Sequence, residues 1–378
     1  MDLRAIEQNL NSISRTPNLH RQEMLRFVYP PDIIRWTYQP CCWTNKVTSG
    51  VLQSLYNVYE GLDIWQDPYV VRLVADSSDS SEKQLQKVLR SRKTYCLDQM
   101  KMLYSKCKRM FEELGSWAAE VYLISCINKF SSHVESDSNL LNDWEDEEKV
   151  YLLGILNRVD VVLPSAPISP ESWQLSQKAH RFIDLLVQQD LSDFTGLVFV
   201  QERATVGMLS QLLSIHPRTK DAFLTSTFVG TSNSSKRKLN IGELLDVRDQ
   251  KDTLDDLRYG RKNLVIATSV LEEGIDVSAC NIVICFDKPA NLKSFIQRRG
   301  RARKEKSKFV LMLSSEDPFT SSQWRELEDD MKKAYQDEMR QLEEIQKGED
   351  VVEEGSRLFR IDSTGYVHII SAALLHEH

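Results

Sequence analysis

Apolar positions change their spacing twice along the chain. Leu3, Ile6, Leu10 and Ile13 follow helical spacing up to Thr16-Pro17, and Leu19, Met24, Leu25 and Val28 predict a second short helix stopping at Tyr29-Pro30-Pro31. Residues 1–40 therefore read as a connector. From about 50 to 160 the chain is helix-rich. Leu85, Val88, Leu89, Cys96, Met100, Leu103, Cys107, Met110, Phe111 and Leu114 form one long stripe between Glu82 and Leu114. Further helices are expected over Trp117–Phe130 and about Glu147–Val159, with a polar, acidic loop at 131–146 between them. "VLPSAPISPES" at 162–172 carries three prolines and three serines and marks a domain boundary.

Beyond it the grammar becomes that of strands. Short apolar runs at 196–200, 222–225, 263–267, 281–286 and 308–313 alternate with helical spacings. Continuous runs of this kind suit strands buried on both faces, so the fold class is α/β, a parallel sheet lobe at 171–315 flanked by helices. Trp324, Leu327, Met331, Tyr335, Met339, Leu342 and Ile345 then predict a helical arm over 317–350. From Glu316 to Glu354 there are 14 acidic and 5 basic residues, which gives that arm a solvated surface. A further element begins in 351–378.

Composition refines this picture in four ways. With 41% hydrophobic and 27% charged residues, the 378-residue chain has the make-up of a globular protein of two or three domains. No apolar run approaches the length of a membrane span, and the N-terminal residues lack a signal-peptide core. Seven cysteines without a CxxC pair argue for reduced thiols in the cytoplasm or nucleus and against a metal site. The net charge of −7 means that any nucleic-acid contact must come from local patches.

Three segments fall where an open parallel sheet binds ligands, beyond its carboxyl strand ends. "ATSVLEEGIDV" at 267–277 leaves a buried strand with Thr268 and Ser269, followed by Gly274 and Asp276. Hydroxyls and strand-end amides suit phosphate oxygens, and a carboxylate suits a ribose hydroxyl or an arginine. "FVGTSNSSKRK" at 228–238 reads either as a backbone-binding loop with three cations or as a surface loop. "QRRGRARK" at 297–304 puts five cations and one glycine into eight positions. Alone, it could be a solvated face or a localisation tract.

The order of these segments resembles motifs V and VI of superfamily 2 RNA helicases, in the branch of Dicer-type ribonucleases and cytosolic viral-RNA sensors. "LVIATSVLEEGIDVSACNIVICFD" and "SFIQRRGRARKEKSKFVLML" carry the likeness, and "GLVFVQERATVGMLSQLL" resembles motif IV. "IEQNLNSISRTPNLHRQEMLRFVYPP" is similar to the link leaving the first motor lobe of fungal Dicer-like proteins. "RLFRIDSTGYVHIISAALLHEH" is similar to the opening of the Dicer dimerisation domain, which has a double-stranded-RNA-binding-type fold. The resemblance implies a RecA-like second helicase lobe with an all-α insertion at 41–165. It implies that Gln297, Gly300, Arg301 and Arg303 face ATP, with Gly274 and Asp276 nearby. Arg301 is then the first arginine finger, and Arg303 or Lys304 the second cation. Thr268, Ser269, Gly230, Lys236, Arg237 and Lys238 are implied to hold the RNA backbone.

Such a motor also needs a P-loop lysine and an acidic Mg²⁺ motif from a first lobe. Neither G-x-x-x-x-G-K-[ST] nor DExD/H occurs in the sequence, and no carboxylate cluster resembles an RNase III site. The expectation is a chain that holds ATP with Mg²⁺ only together with a first lobe, and that is neither an ATPase nor a nuclease alone. It is read as part of a Dicer-like protein of RNA silencing. The alternative is a non-enzymatic module that binds double-stranded RNA or a double-stranded-RNA-binding protein partner.

Overall fold

The computed structural model describes residues 29–41, 50–76, 78–136, 139–161, 174–230, 240–245, 259, 261–272, 279–317, 326, 329–330, 359–361 and 367–369. The chain divides into two units, Met1–Pro318 and Phe319–His378. The first described element of the first unit is strand β1 (Asp32–Tyr38), followed by helices α1 (Gly50–Glu60), α2 (Pro68–Ala75), α3 (Asp79–Ser91), α4 (Tyr95–Leu114), α5 (Ser116–Glu135) and α6 (Asp146–Leu156). Helix α7 (Gln177–Val187) leads into β2 (Gly196–Phe199), α8 (Arg203–Ile215), β3 (Thr225–Phe228), β4 (Leu264–Ala267), β5 (Ile282–Cys285), α9 (Leu292–Arg299) and β6 (Lys308–Ser314).

The six strands form one parallel sheet in the order β1-β6-β5-β2-β4-β3. β2, β4 and β5 are buried at every position, as their unbroken apolar runs require. Strand β1 departs from the sequence reading, which placed 32–38 in a connector. Its Ile33-Ile34, Trp36 and Tyr38 pair with β6 from Asp32↔Lys308 to Tyr38↔Ser314. Trp36 Nε1 donates to the Arg181 carbonyl at 2.8 Å, and the Arg181 guanidinium lies 4.7 Å from the Trp36 ring. The chain thus leaves the sheet after β1, builds the helices, and returns through α7. The helical region is an insertion within the lobe.

The third strand also lies three residues further on than expected, at Thr225–Phe228. Phe223 is buried against Phe194 instead, ring centroids 5.6 Å apart. Asn263 fixes the approach to the strand by accepting from Leu224 N at 2.8 Å and donating to the Ala222 carbonyl at 2.9 Å. The long stripe at 82–114 is two helices. Arg92 closes α3 in the left-handed region (φ 49), and Thr94 caps α4 by accepting from Leu97 N.

Helices and sheet share one apolar core that runs from Leu52 and Leu55 of α1 through α4, α5 and α7 to β2, β4 and β5. The expected boundary at 162–172 lies outside the described residues, as does the acidic stripe at 324–345 apart from helical positions 326 and 329–330. In the second unit β7 (Phe359–Ile361) and β8 (Val367–Ile369) pair antiparallel. No helix among the described residues is long and apolar enough to cross a membrane.

Candidate nucleotide and nucleic-acid site

Thr268 stands one residue past β4, where its N–H donates to the Phe228 carbonyl at 3.1 Å and extends the β3–β4 ladder by a step. It is buried, whereas Ser269 is exposed and opens a 3₁₀ turn, Ser269–Leu271. Gly230 lies just past β3 on the same rim. A Cβ there would stand 2.7 Å from Val270 Cγ2, so glycine lets the two strand ends close together. Arg203, the first residue of α8, donates from its guanidinium to the Gly230 carbonyl. Gly230, Thr268 and Ser269 are therefore neighbours on the rim formed by the ends of β3 and β4. Lys236, Arg237, Lys238, Gly274 and Asp276 lie outside the described residues.

The octamer at 297–304 straddles the end of α9, which Asn291 caps by accepting from Ser294 N at 2.9 Å. Its cations do different things. Arg298 is buried: Nε donates to Glu272 Oε1 at 2.7 Å, Nη1 to the Asp287 carbonyl at 3.0 Å, and the guanidinium lies 4.9 Å from the Phe199 ring. Arg299 stacks over Phe295 at 5.5 Å. The half-buried Arg301 donates from Nη2 to the Glu272 carbonyl at 2.8 Å. Exposed Arg303 donates from Nε to the Gly300 carbonyl at 2.9 Å. Lys304 turns to Asp193, before β2 and so at the amino end of the strands, meeting its carbonyl at 2.7 Å and Oδ2 at 2.8 Å.

Glu272 is the joint between these two segments. Its carboxylate also accepts from Ser294 Oγ at 3.0 Å, so side chain and main chain together tie the turn after β4 to α9 and to Arg301 just beyond it. Burial pushes the thiols of Cys280 and Cys285 up to about 12. They are protonated packing groups. No cluster of three or more His, Cys, Asp or Glu side chains that could hold a metal occurs among the described residues.

A second charged group backs the rim. Lys178 of α7, 3% exposed, forms ion pairs with Glu113 of α4 and with Asp287 Oδ1, the latter at 2.8 Å. Its ammonium lies 4.1 Å from the Phe286 ring. Burial works against the charged form, but Asp287 and Glu113 outweigh it and hold the lysine pKa above its ordinary value. Asp287 Oδ2 also accepts from Gln201 N at 2.6 Å, which fixes the chain as it leaves β2.

Residues 177–305 match the helicase conserved C-terminal domain. Over its full length the chain is 42% identical to Dicer-like protein 2 of Aspergillus fumigatus, covering 27% of that protein. The chain is a helicase C-terminal region of the Dicer-like family. It is also 43% identical over 99% of its length to Dicer-like protein 2 of Coccidioides immitis, of which it covers 26%. The chain thus spans about a quarter of the length of these relatives. Among solved structures, the helicase domain of Pyrococcus furiosus Hef aligns with 85% of this chain and 63% of its own at 16% identity, with a TM-score of 0.36.

In this helicase lobe the residues missed by sequence reasoning are Glu272, Arg298, Lys178 and Asp287. Glu272 and Arg298 sit inside the quoted segments, and their pairing was visible only as opposite charges in neighbouring motifs. Lys178 and Asp287 are 109 residues apart, and nothing local in either sequence announces the pair.

Proposed function

We propose that the helicase lobe supplies the arginine-finger side of an ATP cleft and a rim for the backbone of duplex RNA, within a Dicer-like protein of RNA silencing. The observation that carries this reading is the joint at Glu272, which binds Arg298 with its carboxylate and Arg301 with its carbonyl. Arg301 is held by a neutral acceptor there, on the segment that begins with Thr268 and Ser269. A loose phosphoryl-transfer transition state gathers charge on its equatorial oxygens, and a forked guanidinium offers several donors to it. Gln297, Gly300, Gly274 and Asp276 complete the ATP-facing set. For the second cation the geometry favours Arg303, because Lys304 is turned to Asp193.

ATP with Mg²⁺ would be held jointly with a first helicase lobe that supplies the P-loop lysine and the acidic metal ligands. Gly230, Thr268, Ser269 and the cations Lys236, Arg237 and Lys238 would follow the RNA backbone, since A-form duplexes are read by shape and phosphate contacts. A double-stranded-RNA-binding protein is the fitting protein partner, and the cytoplasm or nucleus the place of action. The stretch at 351–378 is read as the opening of a dimerisation domain.

The test mixes this chain with a first-lobe chain and measures RNA-stimulated ATP hydrolysis. The chain alone is expected to be silent and the mixture active. Arg301→Ala should lower the rate of the mixture about 10³-fold, and Arg303→Ala should cost more than Lys304→Ala. Turnover by this chain alone that Arg301→Ala abolishes, or a mixture indifferent to that change, would refute the reading. Duplex-RNA binding without any turnover in the mixture would favour a non-enzymatic binding module.

A further inference from the structure

Helix α4 belongs to the insertion, yet one side of it grips the lobe at successive points. Gln99, Lys106, Arg109 and Glu113 lie on one stripe at helical spacing. Gln99 Oε1 accepts from Ile241 N at 3.1 Å, and Lys106 Nζ donates to Asn240 Oδ1 at 3.1 Å. Arg109 donates to Gln201 Oε1 at 2.9 Å and pairs with Glu202 Oε1 at 3.0 Å, while Glu113 meets Lys178. Glu202 is the N-cap residue just before α8, and its carboxylate makes no hydrogen bond to that helix's first turn. The carboxylate is turned to the insertion instead. The next residue, Arg203, holds the Gly230 carbonyl, and Gly230 abuts Val270 beside Ser269.

We propose that Arg109 and Arg203 are positioning residues for the RNA-facing rim, so that the helical insertion sets how Gly230 and Ser269 are presented to the phosphate backbone. The inference rests on the RNA reading above and adds to it a direction of control. Whatever moves α4 moves the start of α8, and with it the carbonyl that Arg203 holds. Arg109 acts at one remove: it touches Gln201 and Glu202 and leaves the phosphates to the rim.

This role differs measurably from a direct contact. The Arg109–Glu202 pair is water-exposed, with side chains 42% and 41% accessible, so breaking it leaves the fold intact. The experiment measures binding of a blunt-ended duplex RNA by the full chain over a salt series, for Arg109→Glu, Glu202→Arg and the double exchange. Each single change should weaken binding about threefold to fivefold, within the range of one exposed pair. The double exchange should return it to within about twofold of the parent, and the salt slope should stay constant.

Glu202→Arg is the decisive variant, because it adds positive charge to the rim and is nevertheless expected to bind more weakly. Hydrogen exchange of the amides at 203–206 should quicken in both single variants and recover in the double. Tighter binding by Glu202→Arg, or unchanged exchange in the single variants, overturns the proposal. So does a salt slope reduced by about 0.9 in Arg109→Glu, the mark of a lost phosphate contact. An unaltered chain that binds no duplex RNA removes the RNA reading first. A chain that binds while its variants follow charge alone removes only this inference.

Discussion

Lys178 shows how one residue can hold three elements. Its ammonium comes from α7, and its two carboxylates come from Glu113 of α4 and from Asp287, two residues past β5. A lysine this buried is tolerable only because both acids and the Phe286 and Tyr38 rings surround it. Removing it leaves two carboxylates facing each other in the interior. Lys178→Met should cost about 3 to 5 kcal/mol at neutral pH, measured by urea unfolding. The pH dependence follows from the sign of the shift. The folded-state pKa of Lys178 is raised, so its stabilisation is fully present below the unfolded value of about 10.4 and is lost as pH climbs through the folded value. The gap between parent and variant should therefore be constant near about pH 8 and narrow above about pH 10.4. A gap that widens in alkali would mean the lysine is held neutral.

At the scale of elements, the junction of α4 and α5 depends on Gly115. Its φ is +100°, and a Cβ would stand 2.4 Å from the Gln174 carbonyl oxygen and 2.6 Å from the Leu175 backbone. Backbone atoms cannot yield as a side-chain tip can. Gly115→Ala should lower stability by about 2 to 4 kcal/mol, and thermal unfolding reads the loss; a change under about 0.5 kcal/mol would show that the 174–176 segment moves aside freely. The sequence announced the helices on either side of this turn through their 3.6-residue stripes, and the buried strands through unbroken apolar runs. It did not announce β1, because seven residues with charges at Asp32 and Arg35 resemble a linker until β6 supplies their partner. The break between α3 and α4 was hidden for a related reason. The apolar stripe resumes in phase across Ser91-Arg92-Lys93-Thr94, so periodicity alone cannot see the interruption. In the candidate site the motif residues were legible, but the joint at Glu272 was not, since spacing says nothing about which arginine a carboxylate selects.

For the whole molecule the question is how a chain of net charge −7 would take up a polyanion. A long-range field of that sign repels RNA, so attraction must arise within about a Debye length of the rim, roughly 8 Å at physiological ionic strength. Gly230 and Ser269 bring the strand ends to that rim, and Lys236, Arg237 and Lys238 are the nearest dense run of cations in sequence. If those three side chains each neutralise a phosphate, replacing all of them with alanine should reduce the slope of log K against log salt by about 2 to 3. The loss should be the same for duplexes of different sequence, because A-form helices are read by shape and backbone. Filter binding over a salt series with two unrelated duplexes measures both quantities. A loss confined to one sequence would point to base readout. An unchanged slope would show that these three cations make no phosphate contacts.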